Sequence, residues 1–266
     1  MNNAGWPAIV GAVLLIGTAE AKREKPDPAL RRHYVNVYAV AEHFEWHEFL
    51  DDQTLLIESG PVYGVEVSGG YTENNRIWFR YYGRLFRGDV DYDGALQDGT
   101  PHSRTTTEYC GFEGGLEGDI WTFAHSARGD VLNLIVGFGC RAWERNLVGP
   151  TGYVETWKSF YINTGLWGRC ALPGSENHHL RSKLEVRLPV YNTEKADFSR
   201  LGAPPVHLRP GWAPSLYGSL GADIGRLSVE GYLQALWFSQ SKLTDEGFYQ
   251  PESLGIMGGI KAGISF

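Results

Sequence analysis

Asp89-Val90-Asp91-Tyr92-Asp93-Gly94 sets three carboxylates at alternate positions ahead of a glycine. That is the spacing of the first half of a calcium loop: the carboxylates can converge on one hard cation, and the glycine permits the sharp turn. The twelfth position is Thr100, where an EF-hand carries a bidentate Glu. The segment therefore reads either as an acidic loop or as a low-specificity Ca2+ site formed by Asp89, Asp91 and Asp93. The histidines offer less chemistry. His178 and His179 are adjacent, so on a strand they point oppositely and cannot chelate together.

A second set of ionisable residues follows a period of two. Ile77, Phe79, Tyr81 and Leu85 alternate with Trp78, Arg80, Tyr82, Arg84 and Phe86. Leu180, Leu184, Val186, Leu188 and Val190 likewise share one face, and Arg181, Lys183, Glu185 and Arg187 the other. Period two means strands, and the polar Thr72–Asn75 between two such runs means an antiparallel hairpin. In a soluble sandwich the apolar face is the core. In a membrane barrel it meets lipid, and the polar face fills the lumen.

The composition favours the barrel. The chain has 34 Gly, 14 Tyr, 12 Phe and 9 Trp among 266 residues, a balance suited to many short strands with interfacial aromatics. Its mean hydropathy of −0.28 fits a barrel in which only alternate residues meet lipid. An apolar run over 8–17 followed by Ala19-Glu20-Ala21 reads as a signal peptide ending at residue 21, although 1–6 carry no Lys or Arg. Residues 22–33, with Pro26 and Pro28, read as a periplasmic lead-in, and 34–266 as the barrel. The formal net charge of −7 argues against nucleic acid as a partner.

Ten strands are expected: one over 34–49, two in the hairpin within 62–94, then 108–120, 132–140, 153–167, 180–190, 213–222, 227–238 and the closing run. Long loops are expected over 50–60, 88–106, 141–151, 192–211 and 239–252. They alternate with shorter turns, the asymmetry of an up-and-down transmembrane barrel, and an even strand number brings both termini to one side. The chain closes with Leu254, Ile256, Ile260, Ala262, Ile264 and Phe266 on one face.

The segments ESGPVYGVEVSGGYT, RIWFRYYGRLFRGDVDYDG and ESLGIMGGIKAGISF resemble the small, largely uncharacterised outer-membrane β-barrel proteins of Gram-negative bacteria. The resemblance implies an outer-membrane location, contact with lipopolysaccharide and outer-membrane lipid, and reading of the strand ending in Phe266 by the barrel-insertion machinery. It is specific for fold and hardly for activity, since such barrels host porins, adhesins and enzymes. Omptin proteases are ten-stranded barrels with acidic residues and an Asp-His pair at the outer rim. Here Asp89, Asp91 and Asp93 share a segment with His102, and His207 lies in another, without that family's spaced pairs. His125-Ser126 lacks the spacing of the His-x-Ser of lipid A deacylases. The expected function is a non-enzymatic envelope barrel serving envelope integrity, adhesion or limited small-solute passage. The alternative is a rim hydrolase acting on peptides or lipid A.

Under this facing Arg80, Arg84, Arg141, Lys183 and Arg187 point into the lumen with Glu113, Glu117, Glu185 and Glu230. Buried ions must pair or be solvated, so these nine residues form either an ion-pair and aromatic plug or a polar conduit. Cys110 and Cys140 are placed opposite each other by a turn centred near His125. They read either as two thiols facing lipid or as a disulfide, with Cys170 unpaired.

Overall fold

The structure is a computed structural model that describes residues 31–50, 53–73, 76–94, 105–126, 130–149, 152–173, 178–211 and 214–266. The expected signal peptide and most of the lead-in lie outside the described residues. Strands β1 (Arg31–Leu50), β2 (Gln53–Glu73), β3 (Arg76–Gly94), β4 (Thr105–His125), β5 (Val131–Leu147), β6 (Val154–Ala171) and β7 (His178–Asp197) follow in order. A 3-10 turn at Ser199–Leu201 and the short β8 (Val206–Leu208) come next, and then β9 (Ser215–Ile224), β10 (Leu227–Phe238) and β11 (Glu252–Ser265).

Every neighbouring pair is antiparallel. β1 pairs with β11, and β6 with β7, so ten strands close into a barrel. β8 adds three residues to the upper end of β7 and stands outside the ring count. Both chain ends of the barrel lie at one rim: the Phe266 N–H donates to the Val35 carbonyl at 2.8 Å. Connections at that rim are short. The turn between β9 and β10 consists of Gly225 and Arg226, with Gly225 at φ 62°, a left-handed conformation that glycine adopts without a Cβ clash.

The alternation sorts side chains as a membrane barrel requires. Tyr63, Val65 and Val67 on β2, Leu85 on β3, Phe138 on β5 and Leu233 on β10 are exposed on the outer wall. The residues between them point into the lumen, where Arg84, Glu113 and Arg187 are buried. The closing strand keeps its expected facing, with Ile260 and Ile264 exposed and Met257 buried inside.

Several expected loops are strand instead. β2 begins at Gln53 rather than after Gly60, β3 runs to Gly94, β5 to Leu147, and β7 to Asp197. A bilayer needs about 9–11 residues per tilted strand, whereas β1, β2, β4 and β7 have 20 or 21. The surplus rises beyond the lipid at the rim opposite the termini. There the outer face carries Glu45, His47, Arg87, Glu108, Glu144, Lys158 and Lys195 instead of apolar residues. With polar residues outside and mixed residues inside, the hydropathy alternation fades while the strand continues. Lys158, which conflicts with an apolar facing for β6, sits two residues above Phe160 and marks this boundary.

Candidate functional site: a lumen in two halves

The lumen half nearer the termini holds a dense ionic network. Glu113 on β4 is its hub. It lies 2.6 Å from Arg187, 3.3 Å from Arg84 and 3.6 Å from Arg141. Arg84 also reaches Glu42 at 3.0 Å, and Arg187 reaches Glu185 at 2.7 Å. Lys183 binds Glu117 and lies 2.5 Å from Glu185. Arg80 lies 3.5 Å from Glu117 and 2.7 Å from Asp119. Glu230 is 3.3 Å from Lys261, which also reaches Glu66 at 2.9 Å. All nine lumen residues expected from the sequence thus point inward and take part in ion pairs.

Tyrosines fill the gaps between these ions. The Tyr82 and Tyr161 hydroxyls lie 2.7 Å apart, and both donate to Glu113. Gly139 makes room for this group, since a Cβ there would stand 2.5 Å from the Tyr161 hydroxyl. Arg141 bridges to the far wall, where both of its terminal nitrogens approach the Met257 sulfur at 3.2 Å.

The other half, above the lipid belt, is built differently. Arg145 on β5 is 1% exposed. It meets Glu155 at 2.7 Å, Glu58 at 3.0 Å and Glu48 at 3.3 Å, carboxylates from three other strands. Tyr109 and Thr107 donate to Glu58, and Trp157 to Glu155. Under this cluster Trp46 on β1 meets Trp157 on β6 at 5.4 Å between ring centroids, edge to face. Phe238 on β10 closes against Trp143 on β5 at 6.2 Å. β1 and β6 are five strands apart around a ring of ten, so these contacts join opposite walls and fill the cross-section.

Glu194 is buried beside this cluster, and its Oε2 has no hydrogen-bond partner. Burial, with Glu155 and Glu48 adding repulsion, pushes its carboxyl well above the usual carboxylate range. Burial likewise raises Glu48, against the opposing pull of Arg145.

The upper cluster was not expected from the sequence. Arg145 and Glu194 lie in stretches that read as loops, and so does Glu58. Glu48 follows the outward-facing His43, Glu45 and His47, which hide the phase of β1. The usable signal is the same-face spacing of Trp143 with Arg145 and of Glu155 with Trp157.

Asp89, Asp91 and Asp93 fall on the outward face of β3, alternating with buried Val90 and Tyr92. The expected loop is therefore a correction. On an extended strand alternate side chains stand about 6.6 Å apart along one line and do not wrap around a point. Among the described residues no group of three His, Cys, Asp or Glu is placed to hold a metal. His102 lies outside the described residues. His207 is exposed on β8, which flanks β7, itself four strands around the ring from β3, so it cannot act with that aspartate run.

The cysteine register also needs correcting. Cys110 stands opposite Glu144, and Cys140 opposite Gly114. The offset is four residues along β4, about 13 Å, and all three cysteines are free. The turn lies past His125, which is itself paired with Val131; bulges between Asp119 and Trp121 and between Thr122 and Ala124 make up only part of that displacement.

No family model matches the chain, and no curated protein matches it. The fold is similar to the outer membrane protease OmpT from Escherichia coli, at 8% identity over 93% of this chain and 99% of that one, with a TM-score of 0.47. It is also similar to the translocator domain of the autotransporter NalP from Neisseria meningitidis, at 11% identity over 87% and 88%, with a TM-score of 0.40. Similarity at this level says nothing about activity. The closed ring of ten antiparallel strands, apolar outside and ionic within, is that of an outer-membrane β-barrel.

Proposed function

We propose that this chain is a non-enzymatic barrel of the Gram-negative outer membrane that serves as a closed, rigid scaffold for surface segments rather than as an open pore. The observation that carries this reading is the filled upper lumen, where Trp46 and Trp157 meet from opposite walls beneath the Arg145 cluster. Envelope integrity or adhesion suits such a body better than solute passage does. Arg87, Lys158 and Lys195, on the outer wall just above the apolar belt, stand at the height of lipid phosphates and suit contact with lipopolysaccharide. The apolar face of β11 suits recognition by the insertion machinery.

The test is a pair of assays on protein refolded into liposomes. Liposome swelling with small sugars should show no uptake beyond protein-free vesicles. Incubation with a peptide library and with lipid A should yield no cleavage products. Turnover of either substrate would replace this reading with the rim hydrolase, and rapid swelling would replace it with a pore.

A further inference from the structure

The lumen half nearer the termini contains a cavity of about 470 Å3, within the range of small-molecule sites. Among the described residues its lining carries seven Arg or Lys side chains against five Asp or Glu. Arg169 on β6 stands directly opposite Arg181 on β7, a like-charge cross-strand pair that disfavours the sheet unless something negative lies between or beside it. Arg181 is answered by Asp223 at 2.9 Å and by Glu230 at 3.7 Å, whereas Arg169 has no ion pair within 4 Å among the described residues.

Guanidinium nitrogens on this lining are left over. Arg80 Nη1 and Arg169 Nε are buried and have neither a hydrogen bond nor an ion pair among the described residues, whereas Arg80 Nε faces Glu117 and Arg181 Nε faces Asp223. A buried donor without an acceptor is costly, and a charged one more so. The Arg80 guanidinium carbon lies over the Trp167 ring at 4.6 Å from its centroid. Tyr34 lines the same cavity as Arg80, Arg169 and Arg181. Two guanidiniums with spare donors, Arg80 and Arg169, therefore line a space that Tyr34 and Trp167 also line.

We propose that this cavity is a binding site for a small organic anion, a phosphate or carboxylate on a flat apolar body, entering from the rim that carries the chain termini. The anionic group takes the spare Arg80 and Arg169 donors, because guanidinium forks match planar or tetrahedral oxyanions. The apolar body lies against Trp167 and Tyr34. The site is independent of conduction, since it lies below the filled upper lumen.

The experiment is isothermal titration of the full-length, detergent-folded barrel with phenyl phosphate, benzoate, inorganic phosphate and phenol. Saturable binding of phenyl phosphate or benzoate is expected, with inorganic phosphate weaker and phenol undetected. The preferred anion should bind about tenfold more weakly to Arg169→Gln, the loss of one charge-assisted contact. Ser219→Phe, which fills the cavity without removing a charge, should abolish binding and retain heat-modifiable migration on gels. The Phe variant keeps the proposal testable if Arg169→Gln does not fold. No heat from either aromatic anion up to about 10 mM, a range that covers millimolar affinity, would overturn the proposal. So would undiminished binding by the folded Ser219→Phe protein.

Discussion

Trp143 on β5 and Trp157 on β6 are direct cross-strand partners, stacked at 5.2 Å between centroids with 11° between their planes. Together with Trp46 and Phe238 they bring β1, β5, β6 and β10 into contact through the middle of the barrel. Offset stacks of this kind add about 0.5–1.5 kcal/mol beyond area burial. Trp157→Ala should lower stability by about 3–5 kcal/mol, the usual cost of emptying a large aromatic site. The double variant with Trp143→Ala should fall short of additivity by about the stacking energy. Urea midpoints in detergent measure both, and additive losses would show that the two rings do not act as a unit.

Arg141 depends on Glu113 more than the other cations do. Arg84 retains Glu42, and Arg187 retains Glu185, whereas among the described residues Arg141 has no second carboxylate and keeps only the Met257 sulfur and the Phe86 and Trp143 rings. Glu113→Ala should therefore cost about 3–5 kcal/mol by stranding a buried charge. Adding Arg141→Met should restore part of that loss. An unchanged melting temperature in Glu113→Ala, together with new ion conductance, would show a lumen wet enough to solvate Arg141.

Glu194 gives the upper lumen a pH dependence. Its carboxyl is raised by burial and by Glu155 and Glu48, so the folded barrel holds that proton more tightly than the unfolded chain does. The resulting stabilisation is complete below the ordinary carboxylate range and is lost as pH rises through the raised folded value. Glu194→Gln cannot ionise. It should match the wild type in acid and exceed it increasingly as the pH climbs. A constant difference in melting temperature across pH would contradict this.

The cysteines make a chemical prediction. Cys110, Cys140 and Cys170 are unbridged and face outward. Mass-spectrometric thiol counting on unreduced, denatured protein should find three free thiols. A count of one would mean that the β4–β5 register differs from the one described.

Much of the fold is written in alternation, but only where lipid imposes it. Leu180 to Val190 and Leu254 to Phe266 display their facing because one wall must be apolar. The nine lumen ions follow from that phase. Above the lipid the outer face carries Arg87, Glu144 or Lys195, and the contrast that reveals a strand disappears. Arg145, Glu58 and Glu194 were hidden for that reason, although they occupy the most buried part of the barrel. The three aspartates after Gly88 mislead in the same way: a turn-like composition rests on the outer wall of a continuing strand. The cysteine register failed because His125 is still strand, paired with Val131, so the turn lies later than its composition suggests.

Single-channel recording in planar bilayers tests the closed lumen most directly. Wild-type protein inserted at a density verified by immunoblot should give no discrete conductance steps, because Trp46, Trp143, Trp157 and Phe238 fill the cross-section beneath the Arg145 cluster. Trp143→Ala combined with Trp157→Ala should produce flickering steps if the barrel remains folded. Stable ohmic steps from the wild-type protein would contradict the account.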